Sequence, residues 1–178
     1  MKDNRYSSLI RKNRDIAVQR KQDKWAGSEN EDLKAATPTV LGDFGENTIA
    51  DIFNDHGYKA EVINKGKGDF DILVNGKIRF EGKTATEDTK GYFQFNGIKK
   101  KGVEYDYVIG VGVGPNEIYI NMWTKQHCVD NLTTPMAKNA TDGFKLSASP
   151  RRGSCSRKWE VYLLDDESFE NHILKEIV

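Results

Sequence analysis

Apolar and polar positions change period several times along the chain, and each change predicts an element. Over residues 43–56 the apolar side chains Ile49, Ile52 and Phe53 share one face at helical spacing. Asp43 can cap that helix with Glu46 three residues on, and Gly57 can close it. Short apolar runs follow and predict strands at 58–63, 69–74 and 77–84, the last two joined by Asn75-Gly76, a two-residue hairpin signal. After a polar loop at 84–90, residues 91–102 read as a short helix or turn. Residues 105–112 predict a buried strand, and 117–123 its antiparallel partner across Pro115-Asn116. Residues 124–158 read as loop-rich, 159–164 as a last short strand and 166–177 as a short helix. At the other end, residues 1–25 predict a polar helix in which Ile10, Val18 and Trp25 make no clean stripe, an arm rather than core. Residues 26–40 read as linker. The division expected is a basic helical arm and linker over 1–39 and a compact domain over 40–178. The order of elements predicts an α/β (α+β) fold, a mixed β-sheet flanked by helices.

Composition narrows the function classes. Hydrophobic residues make up 37% and charged residues 30%, as in a soluble globular protein. No apolar run is long enough to span a bilayer, and Lys2-Asp3-Asn4-Arg5 opens no secretory leader, so a cytoplasmic protein without membrane partners is expected. Cys128 and Cys155 read as two reduced thiols, and His56, His127 and His172 are too scattered for a ligand cluster. Net charge is zero, but it is unevenly spread. Residues 1–24 hold eight Lys/Arg against three Asp, residues 145–158 five against no acid, and residues 165–178 one Lys against five acids. Two basic segments and an acidic tail predict a polarised surface.

The chemistry concentrates in 68–83. On the second strand of the hairpin, Lys77, Arg79, Glu81 and Lys83 alternate with Ile78, Phe80 and Gly82, which puts Glu81 and Lys83 together on one face. Carboxylates such as Asp71 and Glu81 suit a hard divalent cation, and a fixed ammonium at Lys83 can stabilise charge developing on a phosphate. Glu46 on the preceding helix is a further acid, with the alternative role of closing a capping box with Asp43. Asp69 competes with Asp71. In a strict two-residue hairpin Asp71 pairs with Phe80 and Glu81 with Phe70, so Asp71 and Glu81 face opposite sides, and a bulge or splayed strand ends must bring a carboxylate round.

This arrangement resembles the PD-(D/E)xK nuclease superfamily, and is most similar to type II restriction endonucleases: a helix carrying Glu, an acidic residue opening one strand, then Glu-x-Lys on the next. The resemblance covers residues 41–123. Residues 92–96 and 105–110 are similar to the segment after Glu-x-Lys in such enzymes, where the chain enters a helix bearing Gln and then a buried strand. It implies an endonuclease that cuts double-stranded DNA with Mg²⁺, Mn²⁺ able to substitute, often as a homodimer. Glu46, Asp71, Glu81 and Lys83 take the catalytic positions, Asp71 and Glu81 the metal, and Gln94 an accessory position. The motif's leading Pro is replaced by Phe70. Asp71 is preferred over Asp69 on this pattern. A structure-specific, repair or junction-resolving nuclease, and a DNA-binding protein without activity, are the alternatives on the same fold. Residues 143–154 mix bases, hydroxyls and glycines. Lys145, Ser147, Ser149, Arg151 and Arg152 are the expected DNA contacts, in a basic loop over 145–158.

Overall fold

The computed structural model describes residues 5–20, 23–63, 69–100, 102–136, 143–149, 162–163 and 174–177. Helix α1 (Arg5–Arg20) is followed by α2 (Glu31–Ala35) and α3 (Pro38–Asp55). Strands β1 (Ala60–Val62), β2 (Ile72–Val74), β3 (Ile78–Thr86), β4 (Phe93–Lys99), β5 (Tyr107–Val113) and β6 (Ile118–Thr124) come next. A short helix α4 (Lys125–His127) runs into a π-turn (Cys128–Leu132). Then follow β7 (Thr134–Pro135), β8 (Gly143–Ala148), β9 (Tyr162–Leu163) and α5 (Lys175–Ile177).

Among the described residues, six strands form one mixed sheet in the order β1-β2-β3-β5-β6-β9, with β3 and β5 parallel and the remaining neighbours antiparallel. Alternation along β5 explains its two faces. Ile109, Val111 and Val113 turn toward α3, where they join Ile49, Ala50, Phe53, Ile72, Val74 and Phe80; Leu33 of α2 and Ile177 of α5 pack against the same cluster. The mixed sheet flanked by helices is as the sequence predicts. No helix among the described residues is long and apolar enough to cross a membrane.

The opposite face carries a second, three-stranded sheet, β4-β8-β7, which the sequence does not announce. The sequence predicts a helix or turn over 91–102, whereas Phe93–Lys99 form a strand. Phe93 and Phe95 alternate at strand spacing, both fully buried, and their rings lie where Cβ atoms would stand at Gly112 and Gly110 of β5. Each buried Phe is worth roughly 1.5–3 kcal/mol, enough to override weak local preference. The loop expected over 124–158 likewise contains α4, β7 and β8.

Helix α3 starts five residues before the predicted position. Thr37 caps it, its hydroxyl accepting from Val40 N at 3.3 Å, and Pro38 fills the first helical position, where a missing N–H costs nothing. The predicted 26–40 linker thus holds α2 and the start of α3. Trp25, read as part of an arm, is 3% exposed in the α3-side core. Its neighbours tie to the loops that follow β3 and β5: Lys24 Nζ donates to Asp88 O at 2.6 Å, and Asn30 Nδ2 to Gly114 O at 2.9 Å. On α1, by contrast, Tyr6, Leu9, Ile10 and Ile16 are exposed.

Candidate active site

The β2–β3 hairpin is where the local sequence matters most. Asn75 and Gly76 both have positive φ, 53° and 64°, the backbone that an Asn-Gly turn favours. The turn nevertheless takes in Lys77, and pairing begins at Val74↔Ile78, then Leu73↔Arg79 and Ile72↔Phe80. The strict two-residue register is therefore corrected by one residue. The reason is burial: Ile72 and Val74 must share a face with Ile78 and Phe80, and a one-residue slip would turn one set to the wrong side.

At the open end, Asp71 N also donates to Phe80 O at 2.9 Å, the residue that Ile72 already faces. Two residues of one strand stand against one of the other, which is the pattern of a β-bulge. The displaced Asp71 carboxylate reaches across to β3, where its Oδ2 accepts from Gly82 N at 2.9 Å.

Three side chains meet there. Lys83 Nζ lies 2.6 Å from Glu81 Oε1 and 3.6 Å from Asp71 Oδ2, and donates to Gly82 O at 2.9 Å. Lys83 is 19% exposed, Glu81 9% and Asp71 27% at the side chain. Glu46 approaches from α3. A Cβ at Gly82 would stand 3.4 Å from Glu46 Cγ and 3.7 Å from Asp71 Oδ2, so the missing side chain leaves the space between them open. The helix comes this close because Gly45 rests directly on Thr84 of β3. Since α3 begins at Pro38, Glu46 lies in its middle and does not close a capping box with Asp43. Asp69 is exposed, and Asp71 is the acid that joins Lys83.

Burial pushes the Glu81 carboxyl above the ordinary range. Lys83 opposes this, Asp71 adds to it, and the charge of Lys99 favours ionisation. The structure also brings in Tyr105, which the sequence reading missed. Its hydroxyl is held above the usual tyrosine range by burial and by the charge of Glu81, and it donates to Lys99 O at 2.5 Å. Lys125 Nζ sits 4.6 Å from the centre of its ring. Nothing local marks Tyr105 or Lys99, because sheet-on-sheet packing brings them to Glu81. A second missed group fixes the β3–β5 register: Asp106 accepts from Arg79 N, Nε and Nη2 at 2.9, 3.1 and 3.0 Å.

The expected DNA contacts fare unequally. Gln94 is on a strand rather than a helix, and its Nε2 donates to Ser147 Oγ at 2.9 Å. Lys145 and Ser147 lie on β8, not in a loop; Lys145 is exposed and Ser147 half-buried. Ser149 is fully buried, which removes it from any contact surface. Arg151 and Arg152 lie outside the described residues.

Among the described residues, no group of three or more His, Cys, Asp or Glu side chains is placed to hold a metal ion. Asp71 and Glu81 offer a two-carboxylate donor set. That suits Mg²⁺, which keeps several waters and takes one or two protein carboxylates with substrate phosphates, better than a cation needing a closed protein cage.

No protein-family model matches the chain, and no curated protein does. Among solved structures, the fold is similar to that of a bacterial homing endonuclease, I-Ssp6803I, at a TM-score of 0.49 and 8% identity, over 80% of this chain and 91% of that one.

Proposed function

We propose that this chain is a Mg²⁺-dependent endonuclease that hydrolyses phosphodiester bonds of double-stranded DNA in a sequence-specific manner, with Asp71, Glu81, Lys83 and Glu46 as its site. The observation that carries the reading is the convergence of Lys83 on the Asp71 and Glu81 carboxylates at a partly buried strand edge. Two acids and one ammonium in such a place cost desolvation free energy, and a fold has little structural use for them there.

Asp71 and Glu81 would hold the cation, which supplies Lewis acidity and an acidified water when bound. The chain's own residues do the rest. Asp71 is fixed by the Gly82 N–H, so one carboxylate oxygen stays oriented. Lys83 offsets one of the pair's two negative charges before substrate arrives and carries the positive charge that the pentavalent phosphate needs as its negative charge grows. Glu46, whose Cγ lies 3.4 Å from where a Gly82 Cβ would stand, would orient a water. Burial around Glu81 strengthens each of these electrostatic interactions.

The test is digestion of unmodified duplex DNA with Mg²⁺, using wild type, Lys83→Ala and Glu81→Gln at matched folded concentration. Discrete fragments are expected from wild type, and a loss of about 100-fold or more in rate from each variant. Cleavage by Lys83→Ala at the wild-type rate refutes the site. Cutting confined to branched substrates would replace sequence specificity with structure specificity.

A further inference from the structure

The outward face of the second sheet is a separate built surface. Cross-strand register sets Gln94 opposite Ser147, Lys99 opposite Gly143 and Thr134 opposite Lys145. The inward partners Phe93, Phe95, Ile98, Leu146 and Ala148 are in the core, so the polar set is left on the other side. Between Phe95 and Ile98 the pairing breaks at a bulge, where Asn96 and Gly97 are exposed and Gly97 takes φ 76°. Strands β4, β7 and β8 contain no Asp or Glu at all. Asp88, in the turn before β4, accepts from Lys90 N and Tyr92 N at 2.8 and 2.9 Å and also from the Gln94 side chain.

We propose that this face enters the major groove of duplex DNA and reads base edges there, with Asn96 and Lys145 as its main specificity determinants and Lys99 on a phosphate. The inference rests on the nuclease reading for its purpose, though not for its test. The dimensions fit: the β4–β8 pair is a two-stranded ribbon, which a groove about 12 Å wide admits, and β7 widens it by only two residues. The chemistry fits as well. An exposed Asn amide can pair with the adenine N6 and N7 edge, and a Lys ammonium with guanine O6 and N7. Gln94, beside them, is held in one orientation by Ser147 Oγ and the Asp88 carboxylate. Lys99 and Lys145 are exposed on this face, and the Asp88 carboxylate at its margin is taken up by two backbone N–H groups and the Gln94 amide, so the surface is complementary to a polyanion.

The sheet is also continuous with the candidate site. β4 packs over β5 on the face that carries Glu81 and Lys83, and its last residue, Lys99, receives the Tyr105 hydroxyl beside Glu81. DNA seated on the ribbon would therefore lead its backbone toward Lys83. Recognition and cutting occupy different sheets, so they are separable by mutation.

Duplexes captured from a random-sequence pool by the full chain without Mg²⁺ are sequenced, and binding of a labelled mixed-sequence duplex is titrated with salt. Wild type should enrich a motif. Asn96→Ala should lose preference at one position by about ten-fold while still binding. Lys145→Ala should lose preference at a second position and bind about ten-fold more weakly, whereas Lys77→Ala, an equal charge change at the exposed hairpin turn, should do neither. A wild-type chain that enriches no motif, an unchanged motif in Asn96→Ala, or equal losses from Lys145→Ala and Lys77→Ala overturns the proposal. If a motif appears but Lys83→Ala cuts like wild type, the active-site reading falls and the recognition surface stands.

Discussion

Gly42 and Gly45 lie three residues apart in α3, and alanine at each should move stability in opposite directions. Glycine inside a helix costs about 1 kcal/mol relative to alanine, so the backbone term favours both replacements equally. The surroundings differ. A Cβ at Gly42 would meet only Glu46 Oε1, at 3.9 Å, an ordinary contact. A Cβ at Gly45 would stand 1.9 Å from Thr84 Oγ1, 3.1 Å from Thr84 Cβ and 3.3 Å from its Cγ2. Rotating Thr84 relieves the hydroxyl, but its Cβ is fixed to the β3 backbone, so helix and strand must part by a few tenths of an ångström. Overpacking of this kind costs about 1–3 kcal/mol, leaving Gly45→Ala net destabilised by about 1 kcal/mol. Gly42→Ala should gain up to about 1 kcal/mol, and the gap of about 2 kcal/mol corresponds to roughly 4–8 °C in Tm for a chain of this size. Urea denaturation of both variants, alone and with Thr84→Ala, measures this. Thr84→Ala should recover part of the loss in the Gly45→Ala background and none in the Gly42→Ala background. If both alanines stabilise alike, or Thr84→Ala shows no coupling to position 45, the close seating of α3 on β3 is wrong. Cleavage gives a second reading, since displacing α3 carries Glu46 away from Gly82.

Three further outcomes follow from the structure. Hydrogen bonds from the Arg79 side chain hold the Asp106 carboxyl below its ordinary range against the opposing pull of burial, so its contribution is present above the unfolded carboxylate pKa of about 3.9 and is lost as pH falls through the lower folded value. Asp106→Asn should cost about 1–2 kcal/mol at neutral pH, solvent screening included, and flatten the acid limb of a stability-versus-pH curve. Trp25→Ala should destabilise by about 3–5 kcal/mol in chemical denaturation, while Tyr6→Ala, 72% exposed, should change nothing measurable. Burial pushes the Cys128 thiol up to about 12, so in a Cys155→Ser background it should react with a thiol reagent only after denaturant is added.

The main sheet was legible where alternation and apolar runs were long, as in β3 and in the run Val108–Val113 that became β5 and its antiparallel partner. Glu81 and Lys83 were legible as neighbours for the same reason. The second sheet was not, because what makes 93–99 a strand is the pair of glycines at 110 and 112 that receive Phe95 and Phe93. The information lies in another segment. Trp25 looked stranded for a similar reason: its core partners are on α3 and the sheet, far along the chain. The hairpin register was readable in principle. Asn75-Gly76 argued for strict two-residue pairing, but Ile72, Val74, Ile78 and Phe80 can share a buried face only if Lys77 is left over, and burial outweighs turn preference. The bulge at Asp71 had no signal beyond the need for one.

That leftover residue ties the charged side of the hairpin to its oily side. The alignment of Asp71 with Glu81 and Lys83 is not set by attraction among them; it is inherited from four apolar side chains on the far face, with Lys77 absorbing the difference in count. The turn works as a spacer of fixed length. Changing what its residues are should leave the alignment alone, whereas removing one would set the buried face and the charged groups at odds, with Asp71, Glu81 and Lys83 all still in the chain.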